Sequence, residues 1–88
     1  MAWFVKLERG TVRKEDFDRW VPAHLEFVGG LIREGRQAKT GYWVERGGGM
    51  LLFQAASLEE ARAIVARDPL VAAGIVEWEL HEWKVVVE

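Results

Sequence analysis

Two histidines in this chain, His24 and His81, could move a proton. Imidazole is the side chain that gains and loses a proton nearest to neutral pH. A carboxylate bonded to one ring nitrogen fixes the tautomer and leaves the other nitrogen to act as a base. Asp68 could supply that carboxylate to His24. The pair His24 and Asp68 is therefore the candidate catalytic pair.

Each member of this pair also has a simple structural explanation. His24 falls within the apolar stripe of a predicted helix, where a lone histidine is often a packed core residue. Asp68 directly precedes Pro69, and an aspartate before proline commonly ends one helix and begins a turn. The sequence alone does not bring the two side chains within hydrogen-bonding distance.

His81 is the weaker candidate of the two histidines. It lies between Glu79 and Trp83 on a predicted strand, where a solvated or interface role is favoured over a catalytic one. Glu77 and Glu79 alternate on that strand, which is typical of a strand protected against aggregation. We therefore interpret these glutamates as surface residues.

Three aromatic residues, Trp20, Tyr42 and Trp83, could form an apolar wall for a small ring-containing ligand. They are the candidate substrate-binding residues. Their alternative role is packing, either in the core or in contacts between two copies of the chain.

Other kinds of chemistry lack the residues they need. The chain has no cysteine, so it has neither a disulfide framework nor a thiolate nucleophile. Its two histidines lack the spacing of metal ligands, and the glycine run at 47–49 is not followed by the Lys and Ser/Thr of a phosphate loop. The 12 basic and 14 acidic residues are scattered, which does not favour nucleic-acid binding. We predict no cofactor, no metal and no nucleic-acid partner, which leaves acid–base chemistry.

The 88 residues suffice for one domain, and we assign 1–88 to a single one. No apolar run is long enough for a signal peptide or a membrane span, so we predict no membrane partner. With the absence of cysteine, this favours a cytoplasmic protein.

Hydrophobic spacing predicts four strands and two helices. The first helix has apolar residues three or four apart and is interrupted by Pro22, where it kinks or starts afresh. Ser57 and Glu60 form a capping box that opens the second helix, and Asp68 with Pro69 ends it. The predicted elements are a strand at 2–8, a helix at about 15–34, strands at 37–45 and 50–55, a helix from 58 onward, and a strand at 75–87.

The order strand–helix–strand–strand–helix–strand is that of the α+β ferredoxin-like (βαββαβ) fold. We expect a four-stranded antiparallel sheet with both helices on one face. We expect Phe4 and Trp83 on the other face, together with apolar side chains of the third strand. Such a face favours a homodimer formed sheet to sheet around a small cavity.

Several stretches of the chain resemble the YciI-like, or YCII-related, family. The resemblance spans roughly residues 1–85, and the order and spacing of the motifs carry it. These residues are His24-Leu25, Leu31, Gly35, Gly41, Gly49-Met50-Leu51-Leu52-Phe53, Ser57-Leu58-Glu59-Glu60-Ala61 and Asp68-Pro69-Leu70-Val71-Ala72-Ala73-Gly74.

The resemblance implies a dimeric ferredoxin-like α+β barrel with a histidine–aspartate pair, which here falls on His24 and Asp68. It further implies a small-molecule enzyme that works by proton chemistry without a cofactor, through proton abstraction, isomerisation or elimination. The alternative is a non-catalytic dimeric domain that binds a ligand or has a structural role, in which His24 is a core residue.

Overall fold

A computed structural model describes all 88 residues and contains four strands and four helices. Two of the helices are short: one directly precedes the first long helix, and the other directly follows the second long helix. In chain order the elements are β1 (Ala2–Gly10), α1 (Lys14–Asp18), α2 (Val21–Arg33), β2 (Lys39–Tyr42), β3 (Gly49–Ala55), α3 (Leu58–Ala66), α4 (Pro69–Ala72) and β4 (Val76–Trp83).

The strands form one antiparallel sheet in the order β2-β3-β1-β4. The two strands at the centre, β1 and β3, are each followed by a main helix, which is the split arrangement of the ferredoxin-like fold. The predicted α+β fold is confirmed. None of the helices is long and apolar enough to span a bilayer.

The segment predicted as one helix at 15–34 is divided in two. Helix α1 ends at Asp18, and α2 begins at Val21 with Pro22 in its first turn. Proline is well tolerated there because the first amides of a helix have no intrahelical partner. The interruption thus comes before Pro22, and it places His24 in the first turns of a new helix.

The stripe that α2 buries is narrower than its hydrophobic pattern predicts. His24, Val28 and Leu31 are buried against the sheet, whereas Leu25 and Ile32 are each 55% exposed. A helix packed on one sheet covers only the residues that face the sheet directly. His24 therefore belongs to the packed face of α2.

The loop between β2 and β3 and the end of β4 differ from the predicted boundaries. Strand β2 covers only Lys39–Tyr42 of the predicted 37–45, and β4 ends at Trp83, four residues before the predicted end. In the loop, Gly48 has φ +99°, and a Cβ there would lie 2.6 Å from the carbonyl oxygen of Glu8. Only glycine allows the loop to approach β1 this closely.

The capping box at the start of α3 is present in a modified form. The Ser57 hydroxyl accepts a hydrogen bond from the Glu60 amide at 3.1 Å, as predicted. The Glu60 carboxylate reaches back to the amide of Ala56 at 2.8 Å. The hydrogen bond from the Ala56 amide, together with one that Arg36 donates to the same carboxylate, holds the pKa of Glu60 below its usual value.

The sheet has a covered face, which packs on the helices, and an open face. Phe4 is wholly buried on the covered face, where its ring stacks on Phe53 and joins the main core. Trp83 lies opposite Trp3 in the β1–β4 register and so belongs to the open face. The prediction that Phe4 and Trp83 share the open face is wrong. Alternation along a strand separates two sets of side chains but does not tell which set the helices cover.

Candidate functional site

His24 and Asp68 lie in direct contact beneath the helices. The Nδ1 atom of His24 is 2.9 Å from Oδ1 of Asp68, and both residues are buried, with 6% and 0% of their surfaces exposed. A carboxylate only accepts hydrogen bonds, so Nδ1 carries the proton that it donates to Asp68. The tautomer of the neutral ring is therefore the one with its proton on Nδ1.

Asp68 also has the structural role that its position before Pro69 indicates. Its Oδ1 atom accepts a hydrogen bond from the amide of Leu70 at 3.0 Å, which caps the short helix α4. The cap holds the carboxylate in a fixed orientation at the junction of α3 and α4. The capping role and the contact with His24 thus coexist in one side chain.

Lys6 is part of this site, although the sequence analysis did not identify it. Its side chain is wholly buried on the covered face of β1, and Nζ donates to Oδ2 of Asp68 at 2.6 Å. The same Nζ atom lies 2.5 Å from Oε1 of Glu8 as an ion pair, at angles that do not meet those of a hydrogen bond. A buried lysine is rarely found without such partners. The available signal in the sequence was a lysine that alternates with Phe4 and lies between Val5 and Leu7.

Asp68 is ionised in this setting. Burial raises the pKa of its carboxyl, but the hydrogen bond from His24 and the positive charge and hydrogen bond of Lys6 outweigh burial and hold the pKa below its usual value. Three donors, from His24, Lys6 and the Leu70 amide, surround the two carboxylate oxygens. The site thus contains a carboxylate that is charged at neutral pH and orients the His24 ring.

Thr40 contacts the second nitrogen of His24 and was likewise missed. Its Oγ1 atom is 3.0 Å from Nε2 of His24 and 3.2 Å from the carbonyl oxygen of Met50. Strand β2 carries Thr40 on the covered face, opposite Leu51. Nothing in the sequence distinguishes this threonine from Thr11. The sequence predicts a free Nε2 atom, whereas in the structure this atom contacts the Thr40 hydroxyl.

The three aromatic candidates are not brought together. Trp20 immediately precedes α2, and its carbonyl accepts from the His24 amide, so it adjoins the site along the chain; its side chain is 42% exposed. Tyr42 is 83% exposed at the end of β2. Trp83 is 49% exposed on the open face and is thus separated from His24 by the sheet. A substrate-binding role for these residues stays a prediction.

The open face carries the second histidine. His81 is exposed, and its Nε2 atom is 3.6 Å from Oε1 of Glu79, which is also exposed. A shallow depression of about 340 Å³ lies beside it, lined by Val5, Met50, His81, Glu82 and Trp83. His81 has none of the buried partners that orient His24.

Comparison with known proteins gives one family match and one relative, whose length is close to that of this chain. The sequence profile of the YCII-related domain matches residues 3–84. The "Uncharacterized protein YjpA" of Bacillus subtilis (strain 168) is 41% identical over 75 residues, which cover 84% of this chain and 88% of that protein.

Solved structures resemble the fold, among them a dehydrochlorinase and a de novo designed protein. The 5-chloro-2-hydroxyhydroquinone dehydrochlorinase TftG from Burkholderia phenoliruptrix AC1100, in complex with 2,5-dihydroxybenzoquinone, superposes with a TM-score of 0.68 at 20% identity and covers 93% of both chains. The de novo designed protein Ferredog-Diesel has a TM-score of 0.64 at 13% identity, over 92% of this chain and 84% of that one. At these identities the resemblance concerns the fold alone.

Proposed function

The chain belongs to the YCII-related domain family, and from this premise we propose that it binds a small organic molecule and transfers a proton with His24. The reaction would be proton abstraction beside a carbonyl, isomerisation or elimination, without a cofactor. Asp68 orients the ring and stabilises the imidazolium that forms when Nε2 takes the proton.

The observation that carries this proposal is the contact of His24 with an ionised, buried carboxylate. The 2.9 Å bond to Asp68 directs the Nδ1 proton inward, so Nε2 is the atom that exchanges a proton with other groups. Such a positioned base typically contributes about 10²–10⁴-fold to the rate of a proton transfer. Burial of the pair keeps this orientation fixed, because neither side chain competes with water for its partner.

The class of ligand is proposed from the nature of the chemistry and from the structural neighbour. A base without other functional groups suits a substrate whose C–H or O–H bond is already acidic, as in a small organic acid or an oxygenated ring. TftG shares the fold and is a dehydrochlorinase of a chlorinated hydroxyhydroquinone, which supports ring compounds of this kind as probes. Trp20 and Tyr42, exposed near α2 and β2, are the proposed aromatic contacts.

Hydrogen–deuterium exchange at carbon tests the proposal directly. The purified protein is incubated in D₂O with a panel of small keto acids, phenols and 2,5-dihydroxybenzoquinone, and the loss of C–H signals is followed by ¹H NMR. Chloride release from 5-chloro-2-hydroxyhydroquinone is measured in parallel. We expect exchange or elimination with at least one probe, and a fall of about 10²–10⁴-fold in His24→Gln.

The matched control is His81→Gln, which removes the exposed histidine and should leave these rates unchanged. The alternative, a non-catalytic domain in which His24 is structural, predicts a different result. In that case His24→Gln would lower the stability and leave both the binding of the probes and their exchange rates as in the wild type.

We further propose that two copies of the chain associate through the open face. Its centre consists of half-buried apolar side chains, and its rim carries both signs of charge, among them Arg9 and Glu77, so two copies can place opposite charges together. The apolar centre comprises Trp3, Val5, Leu7, Met50 and Leu52.

Light scattering after gel filtration tests this association. We expect the wild type to have the mass of two chains and Leu52→Lys to have the mass of one, because a lysine at the centre of the face would be buried without a partner. Leu25→Lys, at an exposed leucine on α2, is the control and should not change the mass. A monomeric wild type at micromolar concentration would contradict the proposal.

A further inference from the structure

Thr40 has a single hydroxyl proton and two neighbours that can accept it. The Met50 carbonyl, 3.2 Å from Oγ1, can only accept a hydrogen bond. The Nε2 atom of His24, 3.0 Å away, accepts when the ring is neutral and donates when the ring is charged. The direction of the Thr40 hydroxyl therefore depends on the protonation state of His24.

Both protonation states leave Nε2 of His24 with a hydrogen-bond partner. When the ring is neutral, the Thr40 hydroxyl donates to Nε2, and Met50 loses this one bond. When the ring is an imidazolium, Nε2–H donates to Oγ1, and the hydroxyl turns to the Met50 carbonyl. Rotation of one hydroxyl is the only rearrangement that the gain of a proton requires.

The charges around the site also accommodate an additional proton. Lys6 contributes one positive charge, and Asp68 and Glu8 contribute two negative charges, so the connected side chains sum to −1 with a neutral His24. Protonation of His24 brings this sum to zero. A neutral buried cluster is less costly than one with an unbalanced charge.

Thr40 lies beside Nε2 of His24, the ring nitrogen that does not contact Asp68. His24 exposes only 8% of its side chain, and its inner nitrogen is occupied by Asp68. Thr40 is only partly buried and belongs to the edge strand β2. Because the Thr40 hydroxyl is the hydrogen-bond partner of Nε2, a proton that reaches Nε2 along hydrogen bonds passes through this hydroxyl.

We propose that the Thr40 hydroxyl relays the proton between the ligand and His24, an inference that rests on the proposed function of His24 as the base. The ligand would give its acidic proton to Oγ1 while the hydroxyl proton of Thr40 passes to Nε2. The ligand becomes an anion, His24 becomes an imidazolium, and Thr40 is unchanged. The ligand is a small molecule whose acidic C–H or O–H group approaches Oγ1.

The exchange rate of the Nε2 proton with water tests the relay without any ligand. It is measured by NMR on protein labelled with ¹⁵N in its histidine rings, at a pH where His24 is charged and the fold is intact. We expect Thr40→Val, which keeps the shape and removes the hydroxyl, to slow the exchange at least tenfold. Thr40→Ser, which keeps the hydroxyl, should exchange within about threefold of the wild type. Equal rates in Thr40→Val and the wild type would overturn the relay.

A second measurement needs no variant and so does not depend on the folding of Thr40→Val. In the neutral ring of the wild type, the ¹⁵N shift of Nε2 should be that of an imine nitrogen that accepts a hydrogen bond. The shift of a free imine nitrogen would overturn the relay.

The relay and the proposed function fail in distinguishable ways. If a probe undergoes exchange at carbon with the wild type, its rate should fall at least tenfold in Thr40→Val and recover in Thr40→Ser. Full activity in Thr40→Val contradicts the relay and leaves His24 as the base. If no probe reacts with the wild type, the proposed function loses its support, while proton exchange at Nε2 still decides the role of Thr40.

Discussion

The two faces of the sheet carry the same types of residue in different surroundings. On the covered face, His24 and Lys6 contact Asp68 at 2.9 Å and 2.6 Å, and the carboxylate is wholly buried. On the open face, His81 lies 3.6 Å from Glu79, and both side chains are more than half exposed. Burial, more than the pairing itself, distinguishes the two sets of charges.

The difference shows why only one histidine has a fixed orientation. Water competes for every partner of His81, and a surface ion pair therefore contributes little. The ring of His24, in contrast, contacts Asp68 and Thr40 within a buried site that is held by the packing of α2 and α4 on the sheet. The same comparison predicts where substitutions should have large effects and where they should not.

The largest effect is expected for Asp68→Ala. This change leaves the Lys6 ammonium buried with Glu8 alone and removes both the cap of α4 and the partner of His24. We expect a loss of about 3–5 kcal/mol in the free energy of unfolding, measured by urea denaturation. Glu77→Ala removes an exposed pair with Arg9 and should cost less than about 1 kcal/mol. Equal losses would mean that burial does not distinguish the two faces.

A double-mutant cycle measures the buried pair itself. Lys6→Met and Asp68→Asn, singly and together, should give a coupling energy of about 2 kcal/mol, because the two charges meet without water between them. Asparagine retains the oxygen that caps α4, so the cycle reports the charge pair. The matching cycle of Arg9→Ala and Glu77→Ala should give about 0.2–1 kcal/mol. A coupling energy for Lys6 and Asp68 that is smaller than the one for Arg9 and Glu77 would contradict the difference between the two faces.

Acid should weaken the covered face selectively. The pKa of Asp68 is lower in the folded chain than its ordinary value of 3.8, so its ionised form stabilises the fold. This contribution is complete above about pH 5 and is lost as the pH falls below 3.8 through the folded pKa. Urea denaturation from pH 5 to pH 2.5 should show that the wild type is more stable than Asp68→Asn at pH 5 and that this difference decreases as the pH falls below 3.8. Glu79→Gln should remain parallel to the wild type, and a gap between wild type and Asp68→Asn that is constant into acid would contradict this.

The smallest effect is expected for His81→Gln. Its side chain is exposed and has no partner within hydrogen-bonding distance, so the free energy of unfolding should change by less than about 0.5 kcal/mol. Thermal unfolding of the isolated variant checks this. A larger change would show that His81 makes contacts on the open face that are absent from the structure of the single chain.

The sequence alone determined the order of the helices and strands and both members of the candidate pair. Periodicity located the strands and the main helices, and local chemistry located the caps, since Ser57 and Asp68 act on backbone amides within three residues of themselves. Such interactions join residues that are close in the sequence, so the neighbouring residues suffice to predict them. The choice of His24 and Asp68 depended on the family resemblance, because each residue also has a structural role.

Only the tertiary structure decided which residues complete the site. Lys6 lies 62 positions from Asp68, and Thr40 lies 16 positions from His24. Alternation on β1 separates Phe4 and Lys6 from Trp3 and Val5, but only the packing of the helices decides which of these two sets is covered. Once that face is known, the buried lysine and the threonine beside His24 follow, because a buried charge or ring nitrogen requires a partner that only the assembled sheet brings within reach.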